Sequence, residues 1–369
     1  MKKINIIFSF LVLLTIAISC SIPDGISQDT AFDKTGAPTD VASILDITND
    51  NSGKVTFTPS ASGAGAYSVY FGDGTANPAQ VQFGANVSHQ YKEGNYTVKV
   101  VANGLNGVNV EKTYPLSIVF RAPENLAVIF IKKGHNLKVK ASALYAASFL
   151  VYFGDVGADE VGTPLANLEE ISHNYTNVGS YSVKLIALSG GLARSEKITV
   201  VNINDPFELP ITFENPNVIY SFVITGGFSF SKVPNPNVSG VNTSAMVGKF
   251  FKVVGSVKNS ASTSLLDNPI DFSSGNKVRV WAYNPTASNI GKKLNIELQS
   301  AVGGIPANNV AVLKVAFTTS GAWEELVFDF STISEIPNTA KFNQLVFRFN
   351  DISVGRNETF YLDNIRLTN

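Results

Sequence analysis

A short phrase occurs twice in this chain, and any fold must accommodate both copies. Residues 67–74 spell Tyr-Ser-Val-Tyr-Phe-Gly-Asp-Gly, and residues 149–155 spell Phe-Leu-Val-Tyr-Phe-Gly-Asp. Each copy is followed by a His-x-Tyr, then a Gly, then a Tyr-Ser/Thr-Val-Lys segment. Phe71-Gly72-Asp73 matches Phe153-Gly154-Asp155 at an offset of 82, His89-Gln90-Tyr91 matches His173-Asn174-Tyr175 at 84, and Gly94-Asn95-Tyr96 matches Gly179-Ser180-Tyr181 at 85. Drift confined to the stretches between motifs is what loop insertions produce. Residues 96–100 and 181–185 alternate as Tyr-x-Val-x-Val and Tyr-x-Val-x-Leu, the period of a half-buried strand. Two related β-modules follow, residues 43–120 and 121–204. Asp73 and Asp155 read as turn acceptors for backbone N–H groups, and Asp73-Gly74 as a tight hairpin turn. Composition agrees with an all-β chain: only 15% of the 369 residues are charged, while Gly (29) and Phe (25) are common.

His89 and His173 are two of the three histidines and sit at the same place in the two repeats. A catalytic role would need a convergent partner that neither copy shows, so both read as structural. His135, beside Lys132-Lys133-Gly134, falls in an expected hairpin. The net charge of −1, with no basic block beyond the leader, gives no electrostatic reason to expect nucleic acid.

The first twenty residues stand apart. Lys2 and Lys3 precede an apolar run, residues 4–18, that is short for a membrane span and right for a signal sequence. It ends in Ala17-Ile18-Ser19-Cys20, and Cys20 is the only cysteine. The arrangement resembles a bacterial lipobox, with Ala17 where Leu is more usual. That resemblance implies a lipidated Cys20 as the mature N-terminus and an outer-membrane, surface-exposed protein held by acyl chains alone. The other reading is an ordinary secretory signal with an incidental cysteine. Residues 21–42 mix Pro, Gly, Asp, Ser and Thr without apolar periodicity and are expected to form a solvated tether.

Residues 205–369 differ from the repeats. Asn204-Asp205-Pro206 breaks the preceding strand, and eight strand-like segments follow, at 218–224, 250–254, 277–283, 294–299, 311–317, 325–330, 344–349 and 360–367. That number suits a jelly-roll sandwich. Residues 277–283 put Val278, Val280 and Ala282 on one side and Arg279, Trp281 and Tyr283 on the other, an aromatic-plus-guanidinium strip that a core would not want. Residues 294–299 set Asn295, Glu297 and Gln299 opposite Leu294, Ile296 and Leu298, and Arg348 and Asn350 fall opposite Leu345, Phe347 and Phe349. If these strands share a sheet, one face carries Arg, Trp, Tyr, Glu, Gln and Asn together. Sugars, with apolar CH faces and equatorial hydroxyls, suit such a surface, although a solvated sheet face with a snorkelling Arg fits the same pattern. Phe228 and Phe230, in a Gly-rich stretch, are either a second platform or buried loop anchors. Trp323 reads as packing.

Several of these segments carry a family resemblance. Tyr-Phe-Gly-Asp-Gly, then His-x-Tyr, then Gly-x-Tyr-x-Val looks like the PKD domain, which implies two immunoglobulin-like sandwiches; Val156 in place of the turn Gly implies a longer hairpin in the second copy. In residues 205–369, the segments Leu-Pro-Ile-Thr-Phe-Glu (209–214), Pro-Ile-Asp-Phe-Ser (269–273), Trp-Glu-Glu-Leu-Val-Phe-Asp-Phe-Ser (323–331) and Phe-Tyr-Leu-Asp-Asn-Ile (360–365) resemble the C-terminal module of Bacteroidetes surface glycan-binding lipoproteins (SusE/SusF-like). The resemblance implies a non-catalytic protein that binds polysaccharide, such as a laminarin-type β-glucan, and hands it to a SusC/SusD-like outer-membrane transporter. Residues 251–266 lack the tryptophan that relatives often place there, which counts against a β-glucan. It also implies that Glu214 and Asp363 help hold a structural calcium, although two ligands do not make a site. A surface adhesion or scaffold protein docking to a protein partner is the alternative. A hydrolase is disfavoured, because no His, thiol or Glu-x-Asp-x-x-Glu strand occurs here.

Overall fold

The computed structural model describes residues 36–302 and 305–369. The leader, Cys20 and residues 21–35 of the expected tether lie outside the described residues. Among those described, no helix is long and apolar enough to cross a membrane. The chain is all-β, in antiparallel sheets. Contacts group it into two units. One takes residues up to Asn125 with Ala143–Ser148 and Ala187–Ser195, and the other takes Leu126–Ser142, Phe149–Ile186 and Glu196–Asn369.

The first repeat contains β1 (Thr39–Ile47), β2 (Lys54–Ser62), β3 (Ala64–Tyr70), β4 (Ala79–Gln82), β5 (Val87–Gln90), β6 (Gly94–Gly104) and β7 (Asn109–Ile118). The second contains β8 (Glu124–Lys133), β9 (Asn136–Leu144), β10 (Ser148–Tyr152), β11 (Thr163–Leu165), β12 (Glu170–Asn174), β13 (Gly179–Leu188) and β14 (Arg194–Ile203). Sheet orders β1-β2-β5 and β4-β3-β6-β7 recur as β8-β9-β12 and β11-β10-β13-β14. The sequence repeat is therefore a repeat of topology, strand for strand. β1 begins inside the stretch expected as tether.

The repeated phrase closes each module in the same way. Tyr91 Oη donates to the Phe71 carbonyl at 3.0 Å, and Tyr175 Oη to the Phe153 carbonyl at 3.0 Å. The His89 ring stacks on Phe71 with centroids 3.9 Å apart, and its Nε2 lies 2.6 Å from Asp73 Oδ2. His173 does the same with Phe153 and Asp155, at 4.1 and 2.8 Å. Asp73 also accepts from the Thr75 backbone N–H, the turn role expected of it. The expected tight Asp-Gly hairpin is instead a loop, residues 71–78, and it lengthens to 153–162 in the second copy. Gly74 holds φ +95°, as a turn glycine should, but the more tightly constrained glycine is Gly72. It sits at φ +76°, and a Cβ there would lie 2.2 Å from the Thr97 carbonyl oxygen; Gly154 repeats this at φ +78° against Ser182.

Residues 205–369 form a sandwich of two five-stranded sheets. Its strands are β15 (Val223–Thr225), β16 (Phe228–Pro234), β17 (Met246–Lys252), β18 (Ala261–Asp271), β19 (Lys277–Tyr283), β20 (Lys293–Val302), β21 (Ile305–Ala316), β22 (Trp323–Asp329), β23 (Lys341–Phe349) and β24 (Glu358–Thr368). One sheet runs β15-β18-β23-β20-β21 and the other β16-β17-β24-β19-β22. Ten strands appear where eight were expected. β16 hides in the Gly-rich stretch, and β18 turns Ser262 and Ser264 toward the core, so it shows no apolar alternation. Between the sheets lie Phe250, Val278, Val280, Leu294, Ile296, Leu345, Phe347, Phe349 and Phe360, all fully buried.

Candidate functional site

Strand β19 divides its side chains as its alternation dictates. Val278, Val280 and Ala282 enter the core, while Arg279, Trp281 and Tyr283 stay half-buried on the outer face of their sheet. Register then fixes their neighbours. Lys249 on β17 is opposite Tyr361 on β24, Tyr361 is opposite Tyr283, and Tyr283 is opposite Trp323 on β22. The rings of Tyr283 and Tyr361 lie 5.7 Å apart, and those of Tyr283 and Trp323 lie 5.5 Å apart. Three aromatics thus cross three neighbouring strands, about 10 Å of sheet. Two residues along, Trp281 sits between Asp363 and Glu325, and beyond it Arg279 faces Arg366.

Charge on this face is organised around Glu325. Arg279 Nη1 donates to its Oε2 at 2.7 Å and Arg366 Nη2 to its Oε1. Arg279 Nε also donates to Thr368 Oγ1. A third of the Arg279 side chain (32%) still meets solvent, so a fixed guanidinium fork stands beside the aromatic row. Trp323 is buried, with its Nε1 donating to the Asn237 carbonyl at 2.8 Å. It packs, as expected, and braces the end of the row.

Glu297, Gln299 and Arg348 do not join this face. β20 and β23 belong to the other sheet, so the single combined surface expected from the sequence is two surfaces, on opposite sides of the sandwich. There Asn295 lies opposite Arg348, Glu297 opposite Val346, and Gln299 opposite Gln344. Arg348 grips Glu297 through Nε at 2.6 Å and Nη2 at 3.2 Å, and Gln299 Nε2 reaches Glu297 Oε2 at 3.3 Å. Although these residues point away from the core, Asn295, Glu297, Gln299, Gln344 and Val346 are each no more than 9% exposed. They form a buried polar layer in which the charged pair is bonded, while both side-chain polar atoms of Asn295 lack a hydrogen-bond partner among the described residues. Asn350 is in neither layer: it turns at φ +47° past the end of β23 and donates to Glu358.

Phe228 and Phe230 are corrected as a binding platform. Phe228 is a core residue at 3% exposure beside Phe250 and Phe360, and Phe230 packs against Phe222 and Phe250. Their Phe-Ser-Phe-Ser alternation places both rings inward, as in any strand.

Asp363 is wholly buried on the outer side of its sheet, under residues 235–245. Its Oδ1 accepts from the Asn364 N–H and its Oδ2 from Asn242 Nδ2, at 2.8 and 2.9 Å. Burial raises its pKa, and the charge of Glu214 raises it further. Glu214 accepts the Met246 N–H. No ion pair neutralises either carboxylate among the described residues, and no group of three His, Cys, Asp or Glu gathers there.

Tyr361, Glu325 and Arg366 complete the aromatic face and were not singled out in the sequence. Alternation on β24 carries a signal for Tyr361, which stands between the core residues Phe360 and Leu362; only strand order reveals that it adjoins Tyr283.

No protein-family model and no curated protein matches the chain. Among solved structures it is similar to SGBP-B from a complex xyloglucan utilization locus in Bacteroides uniformis, at 11% identity over 90% of this chain and 99% of that one, with a TM-score of 0.28. It is also similar to the family 11 carbohydrate-binding module of the cellulosomal cellulase Lic26A-Cel5E of Clostridium thermocellum, at 12% identity over 44% of this chain and 94% of that one, with a TM-score of 0.31. With scores this low, the likenesses carry no functional weight.

Proposed function

We propose that the chain is a non-catalytic polysaccharide-binding protein whose ligand lies on the outer face of the β16-β17-β24-β19-β22 sheet. The observation that supports this is the half-buried pair Tyr361–Tyr283, braced by the buried Trp323, with Trp281 and the Arg279–Glu325–Arg366 triad beside it. Rings lying on a rigid sheet present π-faces to sugar CH groups, and ion-paired guanidiniums supply donors already held in place. A hydrolase fits less well. Glu325 and Glu297 are both in ion pairs, and they stand on opposite sides of the sandwich rather than across a cleft.

The wider reading is a lipid-anchored outer-membrane protein, with Cys20 as its anchor and two PKD-like modules as spacers. It captures a polysaccharide, with a laminarin-type β-glucan as one candidate, and presents it to a SusC/SusD-like transporter. Asp363, Glu214 and the side-chain oxygens of Asn242 and Ser244 would hold a structural calcium, a hard ion suited to oxygen ligands. Two neighbouring carboxylates, one buried and neither with a cationic partner among the described residues, favour a cation there.

The test is affinity electrophoresis of the chain from residue 21 in gels containing neutral polysaccharides, with Trp281→Ala and Tyr283→Ala alongside. Retardation that each variant weakens about tenfold fits one lost stacking contact. No retardation on any polymer would remove the reading, and soluble sugar released on long incubation would replace it with an enzyme.

A further inference from the structure

We propose that one end of the C-terminal sandwich is a second ligand site, built for the carboxylate or sulfate group of an acidic saccharide. Two adjoining cavities of about 580 and 480 Å³ open there and share Ser288, Lys292 and Asn350. Their charged lining comprises four cations, Lys292, Lys293, Lys314 and Arg356, against two acids, Asp351 and Glu358, in a chain whose net charge is −1.

Both acids are already engaged. Lys314 holds Asp351 at 2.6 Å, and Lys292 holds Glu358 at 3.1 Å while also donating to Asn289. Lys293 and Arg356 have no ion pair among the described residues. The contrast among arginines is direct: Arg279, Arg348 and Arg366 in this domain each grip a carboxylate, and Arg356 does not.

A second observation comes from beneath the cavities. Lys252 is completely buried, and its ammonium donates to the carbonyls of Phe349, Asn350, Ser353 and Lys258 at 2.9–3.2 Å. Four carbonyl acceptors with no donor among them favour the ammonium, against the burial that lowers its pKa. No carboxylate among the described residues touches that Nζ, but the charges of Glu358 and Asp351 act on it and favour its protonation. Asn350 and Ser353, whose carbonyls it holds, line the cavities, so the same ammonium fixes their walls. An exposed guanidinium and ammonium over a buried positive charge suit an anion. The sugar ring can rest against Ile290 and Ile352.

The inference relies on the glycan-binding reading for the kind of polymer but not for the aromatic face. Native gels of the chain from residue 21 would contain polygalacturonate, chondroitin sulfate or a neutral β-glucan. The Lys293→Ala/Arg356→Ala double variant is expected to lose about tenfold to a hundredfold in affinity for an acidic polymer, the size of one or two charge-assisted hydrogen bonds, with no change on the neutral one. Wild-type retention should also weaken as salt is added. Retention on both acidic polymers points to the carboxylate that they share, and retention on chondroitin sulfate alone to its sulfate. Loss in the double variant with Trp281→Ala unaffected leaves this site standing even if the aromatic face proves inert. Acidic polymers held no better than the neutral one, or a double variant that binds like wild type, would overturn the proposal.

Discussion

The two outer faces of the C-terminal sandwich use similar residues to opposite ends. On the β15-β18-β23-β20-β21 side, Arg348, 23% exposed, grips the more deeply buried Glu297 among amides and Val346. On the other side, Arg279 and Arg366 share Glu325 in a partly open triad beside three tyrosine and tryptophan rings. One face buries its polar side chains. The other keeps aromatic surface and guanidinium edges within reach of a ligand. Residue type does not separate binding from stability here; exposure and company do.

The largest effect that would break this contrast lies on the closed face. Arg348→Ala leaves Glu297 buried beside Gln299 without its cation, and removing one partner of a buried pair costs about 3–5 kcal/mol. Urea denaturation of wild type and variant reads this directly. A cost under 1 kcal/mol would mean that water enters the layer, and the face would then count as open. Glycan retention should not change while the protein remains folded.

Calcium at Asp363 sharpens the other side, because that residue lies in register beside Trp281. Calcium at about a hundred times its dissociation constant should stabilise by about 3 kcal/mol, seen as a rise in melting temperature that a chelator reverses and Asp363→Asn abolishes. The pH sign is distinctive. A carboxyl whose folded pKa is raised costs stability above that pKa and stops costing it below its ordinary 3.8. Asp363 therefore adds stability on acidification in the ion-free protein, whereas the loaded form loses its ion and weakens. A melting temperature that neither added calcium nor a chelator moves would leave Asp363 as a plain hydrogen-bond acceptor.

Much of this was legible in the strand periods. Val278, Val280 and Ala282 against Arg279, Trp281 and Tyr283 needed only alternation, and the repeated Phe-Gly-Asp and His-x-Tyr phrases announced two modules of one topology. Alternation does not reveal which strand lies beside which. Placing β19 and β20 in one sheet was an assumption about pairing, and pairing between strands far apart in the chain is decided by the whole core. β18 was missed because its inward residues are Ser262 and Ser264, small polar groups that carry no hydrophobic signal. Phe228 and Phe230 stayed open between a platform and buried loop anchors because Gly226-Gly227 drew attention to a turn and away from the strand that follows it.

The smallest expected effect is also the closest comparison. Arg279→Ala removes the same kind of side chain from the same kind of pair as Arg348→Ala, but Glu325 keeps Arg366 and Arg279 is about a third exposed. Ion pairs that water can reach contribute at most about 1 kcal/mol, so the melting curve should barely move. Binding should respond instead, since the guanidinium lies beside Trp281 on the ligand side. Arg279→Lys restores the charge but not the planar fork, and is expected to recover only part of the affinity. A stability loss as large as that of Arg348→Ala, with retention unaltered, would make the two faces alike and the aromatic row an ordinary sheet surface.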